Sequence, residues 1–225
     1  YCSFLSKCVE IKSVELLEIF AQKAYPTHCS LVENETGRNK VKSWSEFTNI
    51  SLNAARICRD AKMIDVAINY FEGGKDICAI LEKAVKNRNN SLTSASIDCD
   101  LGELYEEKGR LSKAKNSFYA SSIKLEEVIQ EYAVDSDKSF AAYTYLRSAR
   151  LCENENDYAT AEQIYLRALK LKVEVYIEDS TPQNQKAMME CSQYLSGLYR
   201  KQGGIVFRTK KAMQLQKTIR SWFND

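Results

Sequence analysis

This chain repeats itself. Residues of one type return every 47 positions along its 225 residues. Small side chains fall at Ala55, Gly102, Ala149 and Ser196. A second column holds Ala67, Ala114 and Ala161, then Arg208, and a third holds Phe71, Phe118 and Tyr165, then Ala212. A fourth runs Cys58, Tyr105, Cys152, Tyr199, and a fifth Gly74, Ser121, Ala168, Leu215. Five columns in one register mark a duplicated unit, which must bury its apolar face against its neighbours. The fourth copy decays in its second half, as suits a terminal repeat whose outer face meets water or a different neighbour.

Each unit reads as two helices. The first and fourth columns lie three residues apart, on one face of a first helix. Ala114, Phe118 and Ser121 at i, i+4, i+7 form one stripe of a second. Short polar turns, such as Glu107 to Arg110 and Asn154 to Asp157, separate them. The pattern predicts an opening helix from about Ser3 to Tyr25, ended by Pro26, then a polar loop from Thr27 to Lys40. Ser43-x-x-Glu46 reads as a capping box for the next helix. Further helices are expected at roughly 43–61, 64–88, 93–108, 111–132, 137–154, 157–178, 182–202 and 205–222. Thr181-Pro182 gives the clearest start signal, a capping hydroxyl followed by a residue pre-set for the first turn.

Composition agrees. Two prolines and eight glycines are too few for a many-turned β architecture or for glycine-rich phosphate loops. Apolar residues at 44% suffice for a core. With 32 basic and 30 acidic side chains the net charge is +2, which excludes a global electrostatic grip on nucleic acid. No apolar run reaches the roughly 18 residues of a transmembrane helix. The eight cysteines are scattered through helical patterns, without a C-x-x-C pair, and read as reduced, buried thiols of a cytoplasmic protein. Three glycosylation sequons, at Asn34, Asn49 and Asn89, are short enough to arise by chance. The chain opens at Tyr1 without a methionine and reads as part of a longer chain or as a processed product.

The phrase LGELYEEKGRLSKAKNSF, residues 101–118, resembles the tetratricopeptide repeat: Leu101, Gly102 and Tyr105 on helix A, Gly109 at the turn, Ala114 and Phe118 on helix B. YATAEQIYLRALKLKVEVY, residues 158–176, followed by Thr181-Pro182, resembles the longer repeats of kinesin light chains. The likeness spans about 48–222. It departs from the pattern at Ala54 and Cys58 in the first unit and at Arg208 and Ala212 in the fourth. It implies an all-α, right-handed αα-superhelix of about four long helix pairs plus an N-terminal helix. The expected organisation is an N-terminal helix and loop over 1–40 and a repeat domain over 41–225, with units of about 48–94, 95–141, 142–188 and 189–225. Members of the family are mostly scaffolds that bind peptides or helices on the concave face built by the A helices.

Chemistry is sparsely supplied. The one histidine, His28, sits beside Cys29 in the polar loop, and a surface or structural role is expected for it. Neither a zinc site nor a nucleotide cradle is signalled, so no cofactor, metal or catalytic residue is expected. Gly73-Gly74 is explained by packing and Gly203-Gly204 by a turn. Cys58 and Cys152 share a column with Tyr105 and Tyr199 and are expected to pack, not to react. By analogy with the repeat family, residues flanking the small column line the groove: Asn53 and Arg56, Asp100 and Glu103, Arg147 and Arg150, Tyr194 and Gly197. Arg56, Glu103 and Arg150 alternate in sign, which fits either a salt ladder between A helices or arginines that take a partner's carboxylates. Asn53 is the only asparagine among the expected groove residues, which does not match a clamp for chaperone tails. The last helix is basic through Arg208, Lys210, Lys211, Lys217 and Arg220, a solvated face or a contact patch. The function expected is non-enzymatic: a scaffold that binds a peptide or helix of a protein partner. The alternative is a structural subunit of a cytosolic, cytoskeletal or transport assembly that docks through its helix ends. No specific nucleic acid is expected.

Overall fold

The computed structural model describes residues 2–23, 39–132 and 135–222. Among these, every regular element is a helix: α1 (Cys2–Glu10), α2 (Val14–Lys23), α3 (Asn39–Asp60), α4 (Ile64–Ala84), α5 (Arg88–Glu107), α6 (Leu111–Tyr132), α7 (Asp135–Asn154), α8 (Tyr158–Glu178), α9 (Pro182–Gln202) and α10 (Ile205–Trp222). They fall into two compact units, residues 1–110 and 111–225. In the first, α3 packs on α4 and α4 on α5, with α1 and α2 against α3. In the second, α6, α7, α8 and α9 pack each on the next, and α10 touches α9 and α8.

One turn is used four times. Lys12, Lys62, Gly109 and Asn156 all take left-handed backbone, with φ of 50°, 63°, 70° and 61°. In each case the amide of the next residue reaches back five positions: Ser13 to the carbonyl of Cys8, Met63 to Cys58, Arg110 to Tyr105 and Asp157 to Cys152. The amide of the left-handed residue itself bonds three positions back. This Schellman geometry satisfies carbonyls that a helix end otherwise leaves orphaned. Lys62, Gly109 and Asn156 lie 47 residues apart, so the turn is part of the repeat.

Lys12 carries the first correction. The opening segment is not one helix but two, α1 and α2, folded back by the same turn. Lysine gives no sequence warning of a left-handed position. Leu5, Leu17 and Phe20 are buried, and the buried Tyr70 hydroxyl of α4 donates to the Leu17 carbonyl at 2.7 Å. Ser43 does not open a helix either, since α3 begins at Asn39 and passes through it. The helix expected at 93 begins at Arg88, because the Asn87 side chain caps it by accepting from the Asn90 amide at 2.9 Å. Pro26, His28, Cys29 and most of the expected polar loop lie outside the described residues, while Asn39 and Lys40 are helical.

The columns form the cores of the two units. Ala55, Ala149, Ala67, Ala114, Ala161, Phe71, Phe118 and Tyr165 are all fully buried. The fourth copy departs in its second half as expected, with Ala212 exposed and Leu215 the buried residue of α10, and it departs in its first half as well, where Ser196 is exposed. Its turn departs too. Gly203 is extended (φ −170°), and a Cβ there would lie 2.9 Å from the Phe207 ring. Close approach, not handedness, demands this glycine.

The left-handed lysines make a test. An L side chain in this region costs roughly 1–2 kcal/mol, and glycine there returns part of this against its own chain entropy. Lys12→Gly and Lys62→Gly are each expected to stabilise their unit by about 0.5–1 kcal/mol in urea unfolding. Gly109→Ala is expected to destabilise by about 1 kcal/mol.

Candidate functional site

The residues expected to line a groove are on the A helices, α3, α5, α7 and α9. In the first unit Asn53 and Arg56 are exposed on α3. The ladder partner expected between α3 and α5 is not Arg56 but Arg59. Its guanidinium donates to Asp100 at 2.7 Å and lies 3.9 Å from Glu103. Burial pushes the Asp100 carboxyl up, and Arg59 and Arg56 pull it partway back. Arg56, Asp100 and Glu103 therefore share one charged cluster, with Arg59 as its centre. The cluster is internally neutralised, which favours the structural reading for this part of the set.

In the second unit α7 presents Tyr143, Arg147 and Arg150 at i, i+4, i+7. The Arg147 guanidinium donates to the Tyr143 hydroxyl at 2.7 Å and lies 4.9 Å above the Phe118 ring. Tyr194 of α9 stacks on Tyr165 of α8, with ring centroids 6.0 Å apart and planes 4° from parallel. The Tyr165 hydroxyl donates to Glu153 at 2.8 Å. Burial and this carboxylate raise its pKa, while the positive charge of Arg150 lowers it. Arg150 and Tyr194 thus meet around Tyr165, and Arg150, Tyr143 and Tyr194 are exposed. Gly197 is half-buried on the same helix as Tyr194, with nothing within 4 Å of where a Cβ would stand.

The basic last helix is only partly available. Lys211 is pinned to both carboxylate oxygens of Glu162, at 2.6 and 2.9 Å, and lies over the Tyr199 and Phe207 rings. It holds α10 onto α8 and leaves the contact patch. Lys210, Lys217 and Arg220 are exposed, and Arg208 is half-buried.

Two cavities escaped sequence reasoning. One, of about 220 Å³, lies between α6 and α8 over Cys152, walled by Lys115, Asn116, Tyr119, Gln163 and Arg167. Asn116 and Gln163 are 47 residues apart, so the repeat did carry a signal for it. The other, about 530 Å³, lies between α9 and α10. Neither wall could be assigned before the helices were placed.

Cys8, Cys58, Cys78, Cys99, Cys152 and Cys191 are buried. Desolvation pushes Cys58 up to about 11 and Cys191 to about 12, and raises Cys152 as well. The thiolate is the reactive form, so these residues pack without nucleophilic character. At pH 8, a thiol reagent is expected to label these six cysteines far more slowly in native protein than in 6 M guanidinium, as mass spectrometry of the quenched reaction would show. Fast native labelling of Cys58 or Cys191 would contradict their burial.

No family model matches the chain, and no curated protein matches its sequence. Solved structures do. BtubC (BKLC) from P. vanneervenii is similar over 99% of this chain and 91% of its own length, at 16% identity and a TM-score of 0.50. A DHF58 filament aligns over 93% of this chain and 99% of its own, at 12% identity and a TM-score of 0.39, too distant to argue from. Among the described residues no helix is long and apolar enough to cross a membrane. The chain therefore has an all-α helical-repeat fold.

Proposed function

We propose that the chain is a non-enzymatic, tetratricopeptide-like scaffold that binds a peptide or helix of a protein partner through its A helices. The observation that carries this reading is the surface of the second unit, where α7 presents Tyr143, Arg147 and Arg150 in one row and Arg150 lies by the Tyr165–Tyr194 stack. Tyrosine and arginine dominate binding hot spots, because each offers a large contact area at low entropy cost together with hydrogen-bond donors. Both tyrosines are already held, Tyr143 by Arg147 and Tyr194 by Tyr165, so little ordering remains to be done on binding. In the first unit the corresponding positions are occupied by the Arg59–Asp100–Glu103 cluster, which serves cohesion.

A fluorescent peptide array carrying carboxylate and apolar side chains supplies the test. Peptides that bind the wild type are expected to lose at least about tenfold in affinity to Arg147→Ala/Arg150→Ala and to Tyr194→Ala, about 1.4 kcal/mol. Unchanged affinity in both variants would remove this surface from the reading.

A second reading, a structural subunit docking through its helix ends, is favoured by α10, where Ile205, Val206 and Met213 are 75%, 83% and 66% exposed. Light scattering across a hundredfold concentration range separates the two. Association abolished by Val206→Lys favours the subunit, and a monomer throughout favours the peptide scaffold.

A further inference from the structure

The cleft between α9 and α10 has an unusual chemical lining. It is walled by Ser196, Tyr199, Arg200, Ile205, Arg208 and Thr209, with Ala212 beside them. Two arginines line it and no carboxylate does, while the hydroxyls of Ser196, Thr209 and Tyr199 already donate to the Ser192 carbonyl, the Ile205 carbonyl and Glu162. Glu162, behind the lining, accepts from the Tyr199 hydroxyl at 3.1 Å and is matched by Lys211.

Arg208 is the telling residue. Its Nε–H is buried without an acceptor. A buried guanidinium donor left unsatisfied is costly, more so than a neutral one. Among the described residues neither Arg200 nor Arg208 has a carboxylate partner. The Nε–H of Arg200 reaches only the Ser196 carbonyl, at 3.3 Å. By repeat register Arg208 stands where the other copies have a buried alanine, Ala67, Ala114 and Ala161. A small core residue has been replaced by a cation facing a cleft.

The surroundings reinforce the sign. α10 contains no acidic residue and five basic ones, of which only Lys211 is paired among the described residues. Gly204, just before it, has no side chain to cap the first turn, so the positive end of the helix dipole adds to the field. Ile205 of the lining and Val206, its neighbour in the chain, are exposed apolar surface.

We propose that this cleft takes a carboxylate side chain from an acidic, partly apolar segment of a protein partner. The carboxylate accepts from Arg208 Nε–H and from Arg200, and the segment's apolar residues cover Ile205 and Val206. Arginine suits the task because its planar fork matches a carboxylate bidentately. This rests on the scaffold reading above but places a contact point away from the Tyr143–Arg150 surface.

The experiment measures binding of an acetylated, amidated peptide alternating glutamate with leucine to the full chain, by fluorescence anisotropy at 50 and 300 mM salt. Binding is expected, weakening at the higher salt. Arg208→Gln and the exposed Arg200→Gln are each expected to lower affinity at least tenfold. Arg208→Lys restores the charge but not the fork, and is expected to recover only part. Helical circular dichroism and melting of each variant report whether α10 stays folded, and Arg200→Gln carries the test if Arg208→Gln does not. Unchanged binding in folded Arg208→Gln and Arg200→Gln overturns the proposal. So does loss in Arg147→Ala/Arg150→Ala alone, which leaves the A-helix reading standing. Equal displacement by millimolar inorganic phosphate overturns it in favour of a small-anion site. Arginine-dependent binding to phosphatidylserine vesicles without peptide binding overturns it in favour of a lipid surface.

Discussion

The fold of each unit depends on a reversal of direction accomplished within about three residues. A helix of some twenty residues can pack antiparallel on its successor only if the chain leaves the first helix at a fixed angle and with its terminal carbonyls satisfied. One left-handed residue and two backward hydrogen bonds accomplish both. Lys12, Lys62, Gly109 and Asn156 share that backbone although they share no side-chain chemistry. Once the turn is set, the small columns fix how near the helices come and the aromatic column fills the remaining space. Cross-links such as Lys115 to Glu155, or Lys75 to the fully buried Asp98 at 2.7 Å, then act on a geometry already decided.

Much of this was legible in the sequence because helix ends are punctuated. α6, α9 and α10 span the expected 111–132, 182–202 and 205–222, where Gly109, Thr181-Pro182 and Gly203-Gly204 mark the boundaries. The reading failed where a boundary carries no mark. Lys12 bends the chain with a residue that ordinarily favours helix, so nothing in the sequence separates α1 from α2. Asn87 caps α5 from within a run of polar residues that looks like loop. Capping motifs also mislead in the other direction, since Ser43 and Glu46 have cap spacing inside a continuing helix.

The candidate site was less legible, for a physical reason. Column arithmetic finds positions that face the same way, but not which side chain reaches across to a neighbour. Arg56 and Arg59 are three apart on one helix, and only the placed structure shows that Arg59 meets Asp100. Tyr165 and Tyr194 come together from elements that the repeat assigns to different roles, one a core filler and the other a groove residue. Cavities are worse still, because they are defined by where side chains are not. What the repeat could supply was the break in its own pattern: an arginine where three alanines precede it.

The extended Gly203 has a consequence for how the chain comes apart. Within the units, α1, α3 and α7 are clasped at their ends by backward hydrogen bonds, so each tends to open together with its successor. α10 lacks that clasp and buries one residue, Leu215, with the Lys211–Glu162 pair as its other tether. Its release costs little more than those two contacts, well below the free energy that holds the core of the second unit. Among the described helices of the second unit, the backbone amides of 205–222 are therefore expected to trade protons with water first.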